Sequence, residues 1–102
     1  MLGAGGMMKQ VQKMQAEMAR IQNELADERI EGSAGGGMVK VVANGQQEIL
    51  DIVIAPEVVD PDDIETLQDL VLAAVRDAMK RSQDMAGEKM SKLTGGLKLP
   101  GM

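Results

Sequence analysis

The side chains of this chain best placed to act on a partner are its lysines and arginines, eleven in all. Lys9 and Lys13 stand one helical turn apart near the start, and Lys80, Arg81, Lys89 and Lys92 crowd the last quarter. Cations at such spacing suit the oxygens of phosphate groups, which need charge and hydrogen-bond donors but no covalent chemistry. Bond-making side chains are largely missing, for the sequence has no Cys, His, Phe, Tyr or Trp. Disulfides, thiol nucleophiles, Cys or His zinc sites and His acid–base catalysis are thereby excluded. Stacking of a base or sugar on an aromatic ring is excluded too. The expectation is a protein that is not an enzyme, with no catalytic residue, cofactor, metal site or small-molecule substrate.

Other motifs have plainer readings. Gly32 to Gly37 is not followed by Lys-Ser or Lys-Thr, so it is no phosphate loop, and Gly3 to Gly6 follows no strand. The run Asp60-Pro61-Asp62-Asp63-Ile64-Glu65 lacks the glycine and distal glutamate of a calcium loop and reads as helix capping. Ten methionines serve as adaptable filler in a core without aromatics, or else form a peptide-binding surface. The basic residues also have two readings. Lys13–Glu17 and Arg20–Glu24 have the i,i+4 spacing of mutually neutralising pairs on a solvated face, which marks Arg20 as structural. The alternative is contact with duplex phosphates, weakly sequence-selective and salt-dependent.

Charge is unevenly spread around a net of −5. Residues 1–26 hold three bases and two acids (+1), residues 27–75 two bases and eleven acids (−9), and residues 76–102 six bases and three acids (+3). An acidic middle therefore lies between mildly basic ends, and such asymmetry speaks to partners more than the total does. No signal-peptide core is visible, and the longest apolar run, Leu70 to Val75, falls far short of the ~20 residues of a membrane span. A cytoplasmic protein with no membrane partner is expected.

Two helices must carry the cations. Met7, Val11, Met14, Met18, Ile21 and Leu25 repeat at alternating steps of four and three, which predicts a helix from Met7 to about Glu28. Asp60 as N-cap, Pro61 at the first position and a Val59–Ile64 staple predict the start of a second helix. Its stripe of Ile64, Leu67, Val71, Ala74 and Ala78 continues, thinned, to the Gly95-Gly96 break, about 30 residues in all. Between the helices, Met38 to Ala43 and Glu48 to Ile54 read as strands joined by an Asn44-Gly45 hairpin, with a weaker strand around Ile30. Such helices overrun a sheet of short strands, so their ends protrude or a second chain covers their seams. The small core per chain argues likewise for a homodimer.

The segments Gly6-Met7-Met8-Lys9-Gln10-Val11-Gln12-Lys13-Met14-Gln15 and Gly35-Gly36-Gly37-Met38-Val39-Lys40-Val41, the latter closed by Asn44-Gly45, resemble the YbaB/EbfC family of nucleoid-associated proteins. Leu67-Gln68-Asp69-Leu70-Val71-Leu72-Ala73-Ala74-Val75 and Lys92-Leu93-Thr94-Gly95-Gly96-Leu97 are similar to it as well. The likeness covers essentially the whole chain in matching order. It implies a helix, a three-stranded antiparallel sheet and a long helix, built into a homodimer with tweezer-like helical arms. It also implies binding to duplex DNA, alteration of its conformation, and roles in nucleoid organisation and gene regulation. Arg76 departs from the pattern, standing where the family often has Asn, and the net acidity departs from it as well.

The expected protein is thus a single α+β domain over residues 1–102, with 1–6 and 95–102 flexible. It forms a homodimer whose acidic body keeps DNA away while its arms hold phosphates through Lys9, Lys13, Lys80, Arg81, Lys89 and Lys92. It resides with the nucleoid in the cytoplasm. The alternative is a non-enzymatic scaffold that binds replication or repair proteins through its Met-rich or Gln/Ala surfaces.

Overall fold

The computed structural model describes the backbone of residues 2–94 and the side chains of residues 6–93. The elements follow in the expected order: α1 (Leu2–Asp27), β1 (Ile30–Ala34), β2 (Val39–Ala43), β3 (Ile49–Ile54), a short 3-10 turn at Pro56–Val58, and α2 (Ile64–Thr94). The three strands form an antiparallel meander in the order β1-β2-β3, with a bulge opposite Val42 and Ala43. This is the α+β arrangement of helix, sheet and long helix. Looseness of residues 95–102 lies outside the described residues, while at the other end the backbone is already helical from Leu2 rather than from Met7.

α2 packs across β1 and β2, and the contact is unusually close. Val39, Val41 and Ala43 of β2 are fully buried against Ala74 and Ala78, with Leu70, Val71, Val75 and Val58 packed around them. Gly32 permits that approach: a Cβ there would lie 2.7 Å from the Ala74 carbonyl oxygen and 2.7 Å from the Ala78 Cα. The run Gly32-Ser33-Ala34-Gly35-Gly36-Gly37 has the composition of a chain breaker, yet its first three residues are strand. β1 runs through them because a strand crossed this tightly by a helix must use its smallest residues. The breaker proper is Gly35-Gly36-Gly37, whose φ values of 64°, 66° and 90° turn the chain into β2.

One sequence expectation about turns requires correction. Asp60 does not cap α2. Its carboxylate accepts a hydrogen bond from the Asp62 amide at 2.9 Å and its carbonyl accepts one from the Asp63 amide, folding Pro61 into a turn. Asp63 is the cap, accepting bonds from the amide and hydroxyl of Thr66, so the proposed Val59–Ile64 staple falls out of register. The expected β2–β3 hairpin opens at Asn44-Gly45. The loop extends to Glu48, the left-handed residue is Gln47 (φ 63°), and the Asn44 side-chain oxygen receives the amides of Gln46 and Glu48. Gly45 is needed for proximity: its amide donates to the Leu25 carbonyl at 2.7 Å, and a Cβ would come within 2.6 Å of the Leu25 side chain.

This β2–β3 turn is what anchors α1. The Asn44 side chain donates to the carbonyl of Ala26, one of the last carbonyls of α1 without an intrahelical donor, and the Gln46 side chain donates to the carbonyl of Gln22 one turn earlier. Beneath the turn, the buried Ser82 hydroxyl of α2 donates to the Asn44 carbonyl at 2.7 Å and accepts the Gln47 amide at 3.0 Å. Only Ile21 and Leu25 of the α1 seam are buried, and the rest of the helix runs clear of the sheet. The molecule measures 73 × 28 × 16 Å with a radius of gyration of 19.9 Å. A compact chain of this length would have one of ~13 Å, so the inference that both helices overrun the sheet holds.

Candidate nucleic-acid interface

The protruding halves of α1 and α2 run side by side and in opposite directions. Met85, Leu93 and Ile21 line the groove between them, a space of about 510 Å³ whose rim carries Glu17, Arg20, Glu24, Glu88, Lys89 and Lys92. Ion pairs also cross between these segments. Lys89 of α2 reaches Glu24 and Glu28 of α1, each at 3.2 Å. Hydrogen bonds that Lys89 donates to Glu28 and Glu24 hold its ammonium above its ordinary pKa. The Lys89 bond and the nearby charges of Lys89 and Arg20 hold the Glu24 carboxyl below its own.

The six cations expected to meet DNA therefore fall into three settings. Lys9, Lys13 and Lys92 are exposed and form no ion pair among the described residues. Lys80 and Arg81 are exposed but engaged with carboxylates four residues back or ahead, Lys80 with Asp84 and Arg81 with Asp77, both at 3.1 Å. Such exposed pairs are weak, worth ~0–1 kcal/mol, and can exchange one anion for another. Lys89 is only a quarter exposed and is the clasp between the arms. Spacing along one helix could not disclose that role, because its partners are 61 and 65 positions away.

One neighbouring pair differs from the sequence reading. Glu17 does not neutralise Lys13. Arg20 takes both Glu17 and Glu24, each at 2.6 Å, since its forked guanidinium can serve two carboxylates at once. Arg20 is thus engaged with two acids of its own helix, while Lys13 has no ion pair among the described residues. Arg76, to which the sequence gave no role, is likewise exposed and without an ion pair among the described residues.

Acids and bases are segregated along α2. Asp60, Asp62, Asp63, Glu65 and Asp69 gather at its beginning, beside the sheet, and Lys80, Arg81, Lys89 and Lys92 lie in its second half. Asp77 sits at the boundary. It accepts the outward Ser33 amide of β1 at 3.0 Å, and this bond, followed by that from Arg81, lowers its pKa. The opposite edge of the sheet is different. β3 is exposed along its whole length, with Ile52 at 43% and Val53 at 51%, because α2 covers only β1 and β2. Ile54 continues into an open apolar hollow of about 430 Å³ lined by Leu67, Val71, Leu72 and Val75 of α2.

Among the described residues no group of three or more acidic side chains could hold a metal ion, and no helix is long and apolar enough to cross a membrane. An elongated α+β chain with cations on helical projections defines a candidate polyanion binder, and comparison with known proteins agrees. The model of the YbaB/EbfC DNA-binding family matches residues 1–97, and the chain belongs to that family. A protein of Pelotomaculum thermopropionicum named "Nucleoid-associated protein" is 58% identical over 94% of this chain and 91% of its own. One of the same name from Desulforamulus reducens is 60% identical over the same shares. The fold is also that of the uncharacterized protein HP0035 from Helicobacter pylori, with a TM-score of 0.75 at 24% identity over 88% of this chain and 91% of that one.

Proposed function

We propose that this chain is a nucleoid-associated protein that binds duplex DNA through its phosphates and alters the path of the duplex. The observation that carries this reading is the placement of Lys9, Lys13 and Lys92 on projecting helices with no carboxylate partner among the described residues. Lys80 and Arg81 join them by exchanging Asp84 and Asp77 for phosphate oxygens. Lys89 acts indirectly, keeping the two helices in register. The absence of aromatic residues removes single-strand stacking and leaves backbone contact as the mode of recognition. Sequence preference then arises from how easily a duplex deforms against the arms. Family membership and the names of the relatives support the same reading.

The working form is a homodimer joined through β3 and the flanking face of α2. An open strand edge, apolar on both faces and continuous with the Leu72–Val75 hollow, is an aggregation hazard unless it is covered. The same patch on a second copy covers it around a two-fold axis. In that assembly the acidic start of α2 lies toward the centre and the cationic arms stay outside.

The test is a mobility shift of random duplex at several salt concentrations, comparing the natural chain with a Lys9→Glu, Lys13→Glu, Lys92→Glu variant. Loss of three phosphate contacts should weaken binding on all sequences alike and make the slope of log K against log salt shallower by roughly 2–3. Unchanged affinity would refute the site. A natural chain giving no salt-sensitive shift would favour the scaffold reading instead.

A further inference from the structure

We propose that the exposed apolar seam in the first half of α1 pairs with the same seam of a second copy. The two helices run antiparallel, with Met7 of each beside Val11 of the other.

The shape of the seam calls for a helix as its cover. Met7, Val11, Met14 and Met18 keep steps of four, three and four, the spacing at which two helices interlock their side chains. Met7 is 67% exposed and Val11 55%, and with Met14, Gln10 and Gln15 they line a groove of about 290 Å³. The seam continues into Ile21 and Leu25, which are buried. At Ile21 the cover is α2, through Met85 and Leu93, and α2 runs opposite to α1. A second antiparallel helix therefore extends, over the open part of the seam, a packing that the chain already uses.

The flanks of the seam suit a copy of itself. Met8, Gln10 and Gln15 border it, and Glu17 is the nearest charged side chain along the helix. At about 100° per residue Lys9 and Lys13 lie on the far side, so two copies meet without opposing their cations. A two-fold axis level with Lys9 sets Gln10 beside Gln10 of the second copy, and two primary amides can each donate and accept. It also sets Glu17 of each copy near the start of the other's helix, where amides are free and the first turn has no acid of its own. A parallel pair would instead bring both positive helix ends together. The axis cannot lie nearer Met14, because Lys92 and Leu93 close the seam around Glu17 and Ile21 and would meet the second helix head-on. The overlap is about four helical turns, a small and reversible contact. Combined with the β3 face, it would link dimers into a chain while Lys9 and Lys13 stay on the outside; only this extension rests on the dimer reading above.

The test is crosslinking of the full purified chain without DNA, and the chain has no cysteine of its own. A short bismaleimide should join Gln10→Cys chains into covalent pairs roughly tenfold or more faster than Lys9→Cys chains, whose cysteine is at the same level on the far side. Adding Val11→Asp should abolish the pair without changing the helical circular dichroism. Equal rates at the two cysteines overturn the proposal. So does the absence of a pair at Gln10→Cys, which would leave the seam to another part of the chain or to a different protein. Ile52→Asp, or Leu50→Asp where Ile52→Asp fails to fold, separates this contact from the β3 face. The Gln10→Cys pair should persist in that background, and its loss there overturns the proposal by showing that the seams meet only inside a β3-joined dimer. With no DNA present, each of these outcomes leaves the phosphate-binding reading standing.

Discussion

The first half of α2 and its second half belong to one unbroken helix, yet they are held by opposite means. Near Ala74 and Ala78 the helix lies almost backbone to backbone on Gly32, and the surrounding side chains are apolar and fully enclosed. From Met85 onward its neighbour is α1, met through a few apolar side chains and the Lys89 clasp. Close packing has one arrangement and resists change. Exposed ion pairs are individually weak and can be exchanged for other charges. The trunk thus fixes position, while the arms are joined by contacts that other charges can replace.

Glycine substitutions probe this contrast most sharply. Gly32→Val should be the most damaging change in the chain, because its side chain would meet the α2 backbone rather than a movable group. We expect a loss of about 3 kcal/mol or more, seen as a large fall in melting temperature by circular dichroism. If Gly32→Val melted like the natural protein, the close crossing described above would be wrong. Ser82→Ala comes next. It removes a buried hydroxyl that serves both the Asn44 carbonyl and the Gln47 amide, at a cost of about 1–3 kcal/mol in urea unfolding.

A smaller effect separates the clasp from the trunk by pH. Glu24 and Asp77 both have carboxyl pKa values lowered by folding. Their stabilisation is therefore present above the ordinary carboxylate range of about 4 and is lost as pH falls through their lower folded values. Glu24→Gln should flatten the acid dependence of melting and loosen the contact between α1 and α2. Asp77→Asn should flatten it while loosening the Ser33 edge of β1, read by amide exchange at Ser33. The smallest effect has the opposite sign. Gly87→Ala, within the arm and with open space around its Cα, should raise stability by about 0.5–1 kcal/mol.

The helices and two of the strands were legible because burial leaves a period in the sequence. The α1 seam, the alternation in β2 and the stripe from Ile64 to Ala78 all record it. β1 was faint for a physical reason: Gly32 and its neighbours were selected for α2's approach, not for strand propensity. The start of α2 was misread because four acids and a proline offer several caps, and only the turn closed by Asp60 decides for Asp63. Within the candidate site, the cations were visible but their commitments were not. Local spacing found the Arg20–Glu24 pair, yet it could not show that Arg20 would also claim Glu17, nor that Lys89 would cross to another helix. The apolar surface of β3 was readable as a strand but not as an uncovered one, since that depends on where α2 happens to lie.

The continuity of α2 from Ile64 to Thr94 has a mechanical meaning. No proline interrupts it, so a push at the tip is transmitted as torque to the seat where Ala74 and Ala78 rest on Gly32. The projection behaves as a lever with its fulcrum in the most incompressible part of the molecule.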